Sequence, residues 1–304
     1  NNMSILEDSY GINIRPLSTF AMEMYKDDDC KNFYPKVFDE TRYDDSDKMN
    51  IAKIHKAITI IQFKLEGQMI KRHPEYNLNN RLLLDKMNLK KGYVLIDGKK
   101  YEINDKNFPT LLEEDVYELI PEEKEIMERL SESFKKSEKL NEHIGFLYKK
   151  GQLYTKFNSN LLFHACIPMT ENGEFKKVEF LGEQLSGKEY LDTVNEAINK
   201  IWISKENIEK EKIDLMWYLW ISPDSPFFGK DKMATFESYF VKDKEMSKET
   251  KNPYYTLTNK EEICDKILKE FGLDEKESHI VNGHMPVKAK DGESPIRGNG
   301  KLLV

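Results

Sequence analysis

The chain has 304 residues, of which 39% are hydrophobic, 33% charged and 11% aromatic, and its formal net charge is −7. This length suits about two domains with a proper core, and the aromatic content separates it from disordered chains. The acidic balance argues against a nucleic-acid partner, which needs a basic surface, and neither a run of about 18 apolar residues nor a signal peptide is readable. Cys30, Cys166 and Cys264 are widely spaced and odd in number. They read as reduced thiols of a cytoplasmic protein, not as a disulfide frame. The chain opens on Asn1-Asn2-Met3 and closes on the apolar run Leu302-Leu303-Val304 without a cap or polar tail. A piece of a longer protein is the expectation.

From Ser46 to His73 one long helix is predicted. Ile51, Ile54, Ile58, Ile61 and Leu65 recur three and four apart on one stripe, and Pro74 ends the helix. The stripe reads as core against a second long helix, Pro121 to Lys150. Pro121 suits a first helical turn, and Glu122, Glu123 and Glu125 suit its positive end. Ile126, Leu130, Phe134, Leu140, Ile144 and Leu147 line that helix, and Gly151 stops it. Between the helices, Asp97-Gly98 flanked by Tyr93-Val94-Leu95-Ile96 and Lys99-Lys100-Tyr101 predicts a hairpin. Residues 1–150 are therefore expected to be a mainly helical unit with one hairpin.

After Gly151 the pattern changes. Leu153 to Ile167 is β-rich, Asn172-Gly173 reads as a turn, and Phe175 to Leu181 as a strand. A helical stretch, continuous or broken, runs from Ser186 to Trp220, whose Met216, Trp217, Tyr218 and Trp220 read as core. A Pro- and Lys-containing loop follows, 222–232. Thr258 with Glu261 forms a capping-box pattern and Gly272 closes that helix. His279-Ile280-Val281 reads as a short strand leading into Asn282-Gly283-His284-Met285-Pro286, and a strand ends the chain. Residues 151–304 thus alternate strands and helices. The fold class expected is α+β or layered α/β.

Two histidines stand where strands hand over to loops, the place where sites collect in layered proteins. His164 ends an apolar strand before Pro168, and His284 sits in a Gly-His-x-Pro turn. A neutral imidazole is a good ligand for a divalent transition metal; a core histidine fixed by one hydrogen bond is the plainer reading of either residue alone. Ligands on two adjacent metals would bring the ring nitrogens within roughly 4–8 Å of each other. The carboxylate motifs of a two-metal phosphatase centre are not found in the sequence. Lys230 and Lys232 in one loop, and Lys288, Lys290 and Arg297 in another, are candidate phosphate-binding cations. His55, His73 and His143 fall on the long helices and read as packed or solvated. Cys166 has no acid or base pattern beside it and does not read as a nucleophile.

Several long strings carry a resemblance. They are Lys53 through Gln68, Arg81 through Lys86, Asp214 through Trp220, Phe228 through Met233, Asn282 through Lys288, and Gly292 through Ile296. In these the chain closely resembles the class III fructose-1,6-bisphosphatases of low-GC Gram-positive bacteria, within the calcineurin-like metallophosphoesterases. The likeness covers essentially the whole chain.

The resemblance implies a two-sheet β-sandwich with flanking helices, of which residues 151–304 supply the second part and residues 1–150 a mainly helical insertion. It implies a cytoplasmic gluconeogenic hydrolase that removes the 1-phosphate of fructose 1,6-bisphosphate by water activated at a dinuclear Mn2+ centre, exchangeable with Mg2+. It makes His164 and His284 metal ligands, with Lys230, Lys232, Lys288, Lys290 and Arg297 on the substrate. The family's remaining ligands lie in Asp-x-His, Gly-Asp-x-x-Asp-Arg and Gly-Asn-His segments absent from this sequence, so the chain by itself is expected to be inactive. Ala165 stands where the family usually has Gly, and Met285 where it often has Thr. Homo-oligomer contacts and small-molecule effectors are expected of the helical part. The alternatives are a helical scaffold carrying a degenerate phosphatase remnant, and a protein Ser/Thr phosphatase.

Overall fold

The computed structural model describes residues 2–36, 44–203 and 209–304. Two compact units are present. One comprises Asn1–Leu147 and Ala234–Lys248, the other Tyr148–Met233 and Glu249–Val304. Both helix and sheet occur, so the architecture is mixed α and β. No described helix is long and apolar enough to cross a membrane.

The first unit is built on the helix Asp45–Arg72. Asp44 and Asp47 cap it reciprocally, each carboxylate accepting the other's backbone N–H, and Lys71 and Arg72 complement its negative end. Ile54 and Ile61 are buried, and the main partner of this helix is Arg15–Met24 rather than the second long helix. The helix also buries two lysines. Lys56 meets Asp28 and Asp105 at 2.5 and 2.6 Å, and Lys64 meets Glu123 at 2.7 Å and the Thr110 carbonyl at 2.6 Å. Gly67 lets Tyr117 lie against the helix: an ideal β-carbon there would stand 2.0 Å from the tyrosine ring.

Strands β1 (Met87–Asn88), β2 (Tyr93–Ile96) and β3 (Lys99–Glu102) form a small antiparallel sheet. Asp97 and Gly98 both take positive φ, 48° and 75°, as the tight two-residue hairpin requires. The helix expected over 121–150 is broken into Pro121–Lys136 and Glu138–Lys150. Ser137 turns extended between them, and its hydroxyl donates to the Tyr10 carbonyl. Only the first half of the apolar stripe is core: Ile126 and Leu130 are buried, while Phe134 and Leu147 are exposed.

The second unit centres on five strands. Strands β4 (Tyr154–Phe157) and β5 (Asn160–Phe163) form a hairpin. Strands β6 (Val178–Phe180) and β7 (Glu183–Leu185) pair separately, so the strand expected over 175–181 is short. Strands β8 (His279–Asn282), β9 (Ile296–Arg297) and β10 (Leu302–Leu303) complete the main sheet in the order β4-β5-β8-β10-β9. Leu161, Ile280 and Leu302 stand in one register row and are buried, with the helix Glu261–Glu270 behind them. The next row shows the opposite face: Leu162, Val281, Leu303 and Ile296 align across four strands, and Leu303 and Ile296 are exposed.

The helical stretch expected over 186–220 is seen as Gly187–Ile203 and Lys210–Ile221, and its passage through 204–208 lies outside the described residues. Two expectations need correcting. Trp220 is exposed, not core, because with Ile213 seven residues earlier it lies on the outer side of its helix. Thr258 does not cap the helix that begins at Glu261. Its hydroxyl donates back to the Tyr254 carbonyl of the preceding turn.

Candidate metal-binding site at two strand ends

Strands β5 and β8 run parallel with Phe163 opposite Asn282. Both strands therefore leave the sheet at the same end, and His164 and Gly283-His284 come next in each. The Gly283 N–H donates to the His164 carbonyl at 3.0 Å. The buried Asn282 amide donates to the carbonyls of Phe163, His164 and Ala165 at 3.4, 3.1 and 2.8 Å. A buried polar side chain needs such partners, and here they fix the turn that carries His164. His284 takes φ 64°, a left-handed conformation that costs a residue with a β-carbon about 1 kcal/mol. The result is an edge-to-face imidazole pair, with ring centroids 5.0 Å apart and His284 Nδ1 3.1 Å from His164 Nε2.

That approach is closer than the range expected for ligands on two adjacent ions. Two nitrogens each about 2.0–2.1 Å from one tetrahedral ion lie roughly 3.3–3.4 Å apart, so the pair suits a single shared ion. The charge state is favourable as well. Burial first, then His164 and Lys230, push the His284 imidazole below its ordinary pKa, outweighing a hydrogen bond to the Phe228 carbonyl. The neutral form is the one that ligates. A ring N–H held by a backbone carbonyl is the usual support for a ligating histidine. The donor set is partial: among the described residues no third His, Cys, Asp or Glu joins a group that could hold a metal. The two imidazoles fit as the nitrogen donors of a transition-metal site.

The candidate cations are distributed unequally. Lys230 is the one whose charge bears on His284. Its ammonium is held 2.6 Å from Glu249 and lies 5.5 Å from the Phe228 ring centroid. Gly229, at φ 62°, brings this loop against the His164 turn: a β-carbon there would meet the Cys166 sulfur at 2.6 Å. Lys232 is half-buried further along the loop. Lys288 and Lys290 are exposed. Arg297 is half-buried on β9, donates weakly to the Tyr255 carbonyl, and lines a cleft of about 340 Å3 with Lys251 and Glu293. Cys166 is buried and its thiol is pushed up by that burial, against nucleophilic use. His55, His73 and His143 pair with Tyr239, Glu75 and Tyr10. Sequence reasoning missed Asn282, Lys251 and Glu293. The signal for Asn282 is an amide closing an otherwise apolar strand.

An imidazole pair thus stands at the ends of two parallel strands with a lysine loop beside it. The chain belongs to the Firmicute fructose-1,6-bisphosphatase family, whose model matches residues 1–304. It is 51% identical over 305 residues to a protein of Clostridium acetobutylicum named fructose-1,6-bisphosphatase class 3, covering 100% of this chain and 46% of the relative. Proteins of the same name from Alkaliphilus metalliredigens and Clostridium botulinum are each 52% identical, with the same coverage. The chain spans about half the length of the curated relatives it matches. No solved structure matches it.

Proposed function

We propose that the protein carrying this chain is a metal-dependent phosphatase that hydrolyses the 1-phosphate of fructose 1,6-bisphosphate, and that His164 and His284 are metal ligands in it. The observation that carries the reading is the 3.1 Å approach of two imidazole nitrogens, set by a buried amide clamp. Family membership and the printed name of the relatives support the reaction. A divalent cation bound there, Mn2+ or Mg2+, supplies Lewis-acid stabilisation of charge on the phosphoryl oxygens.

The chain's own residues have separate tasks. Asn282 holds the His164 turn, and Lys230 adds positive potential beside the pair. Lys232, Lys288, Lys290 and Arg297 are assigned to phosphate groups of the substrate. Two imidazoles without carboxylate co-ligands hold a cation weakly. The 304 residues alone should therefore hydrolyse little substrate. Homo-oligomer contacts, effector control and a place in the cytoplasm belong to the same reading.

The fold proposed is half of a β-sandwich. The row Leu162, Val281, Leu303 and Ile296 presents an apolar sheet face, partly exposed here, of the kind that a second sheet covers about 10 Å away.

The test is phosphate release from fructose 1,6-bisphosphate by the intact protein, with His164→Ala and His284→Ala beside the parent. Both variants should lose at least a hundredfold in kcat, and a chelator should silence the parent. Full activity in either variant, or a strong preference for a phosphopeptide, would overturn the reading.

A further inference from the structure

The loop that carries Lys230 is fastened on two sides. On one side it lies against the turn that follows β5, where the Cys166 N–H donates to the Pro226 carbonyl at 3.4 Å. Gly229 comes so close to the same turn that an ideal β-carbon would stand 2.6 Å from the Cys166 sulfur. Cys166 is two residues past His164, so a shift of this loop presses on the turn that carries the first imidazole.

On the other side residues 249–252 hold it. Lys230 and Lys251 form an antiparallel bridge. The Asp231 N–H donates to the Thr250 carbonyl at 2.9 Å, and the Thr250 N–H donates to the Asp231 carboxylate at 2.7 Å. The Asn252 N–H donates to the Gly229 carbonyl at 2.9 Å. The Asn252 side-chain oxygen accepts the N–H groups of Met169 and Tyr254 at 3.2 and 3.0 Å, which ties the stretch after β5 to the same clamp. These bonds fix the backbone of residue 230. The end of its long side chain is fixed by Glu249, whose carboxylate meets the ammonium at 2.6 Å, with the two side chains 23% and 24% exposed.

A lysine is a compact point charge on a flexible stem, with three N–H donors. Beside the imidazole pair such a charge has two opposed effects. It attracts the phosphoryl oxygens of a substrate, and it repels a divalent cation between the two rings. A carboxylate against the ammonium offsets the repulsion. It occupies one side of the ammonium only, which leaves further N–H groups to meet a phosphate.

We propose that Glu249 is a positioning residue of the candidate metal site: it holds the Lys230 ammonium in place and balances its charge, so that the imidazole pair takes a divalent cation with a phosphate-seeking lysine at its side. The inference rests on the metal reading of His164 and His284 and adds to it a residue that touches neither the cation nor the substrate.

The experiment uses the intact protein and reads two quantities, Mn2+ affinity by calorimetry and KM for fructose 1,6-bisphosphate at saturating Mn2+. Glu249→Gln keeps an acceptor for the ammonium and removes the charge. Mn2+ affinity should fall about threefold to tenfold, while KM should also fall, by about threefold, because the uncompensated lysine draws the phosphate more strongly. Lys230→Met should do the reverse, tightening Mn2+ and raising KM. A residue that serves stability alone would move both quantities in the unfavourable direction, or neither, as the urea midpoint drops. Weaker Mn2+ binding together with a raised KM in Glu249→Gln, or no change in either, would therefore overturn the proposal. His284→Ala separates the two readings. Intact Mn2+ affinity in that variant sinks the metal reading and this inference with it, whereas lost Mn2+ binding there beside an unaltered Glu249→Gln sinks the role of Glu249 alone.

Discussion

The side-chain amide of Asn282 lies 2.8 Å from the Ala165 carbonyl oxygen, joining the last residue of β8 to the turn that follows β5. It holds the Phe163 and His164 carbonyls as well. Asn282→Leu keeps the volume but strands these carbonyls in a dry environment, at a cost of about 1–3 kcal/mol. The change should also let the His164 turn relax, so that Mn2+ affinity falls at least tenfold at temperatures where the variant remains folded. A drop in urea midpoint with unchanged Mn2+ titration would make Asn282 a stability residue only.

The local features of this fold were readable because neighbours in sequence make them. Asp97-Gly98 needs only its own backbone to close a hairpin, and Pro74 only its own ring to end the long helix just before it. The features that escaped depend on distant partners. The helix break at Ser137 is held by the Tyr10 carbonyl, which no periodicity in 121–150 reveals. The positions of His164 and His284 at strand ends were legible, but their distance was not. It is set by a parallel pairing of strands 119 residues apart, as the Asn160–His279 register shows, and by a left-handed His284. Lys288, Lys290 and Arg297 looked like one basic loop in sequence. In space Arg297 lines a cleft with Lys251, while Lys288 and Lys290 stay on the surface.

Gly67 supplies a control far from the strand-end chemistry in sequence and placed in the other unit. Its ideal β-carbon would overlap the Tyr117 ring at 2.0 and 2.2 Å. That ring cannot swing freely, since its hydroxyl donates to Asp85 and its carbonyl accepts from Gln68. Gly67→Ala should therefore destabilise the protein by about 1–3 kcal/mol through overpacking, despite the better helix propensity of alanine. Urea unfolding checks the loss, and Mn2+ affinity of the folded variant should match the parent.

Lys64 and Glu123 test whether a buried ion pair stabilises this unit or only tolerates itself. Both side chains are fully buried, and burial pulls the Lys64 ammonium below its ordinary pKa against the opposing pull of Glu123. Lys64→Met leaves Glu123 charged and unpaired, and should cost about 3–5 kcal/mol. Adding Glu123→Gln removes that charge while keeping an acceptor for the Ile120 N–H. The double variant should recover most of the loss. A double variant no more stable than Lys64→Met alone, by urea midpoints, would show that the lysine stem and not the charge was missed.

Asp28 gives the fold a dependence on acid. Burial by itself would raise its carboxyl, but the Lys56 ammonium and the Cys30 N–H outweigh burial and hold the group below its ordinary value. In the unfolded chain the carboxyl titrates near 3.9, so in the window below that value the unfolded state binds the extra proton. Stability must then rise with pH across the window. The contribution of Asp28 is complete above the unfolded value, and it is lost as the pH falls through the lower folded value. Asp28→Asn removes this titration and weakens a charged hydrogen bond, at a cost of about 1.5–3 kcal/mol near neutrality. Urea midpoints measured from pH 7 down to 3 should fall more steeply for the parent than for the variant, so that the two curves approach each other in acid. Parallel curves would mean that Lys56 is satisfied by Asp105 alone and that Asp28 adds no proton-linked stability.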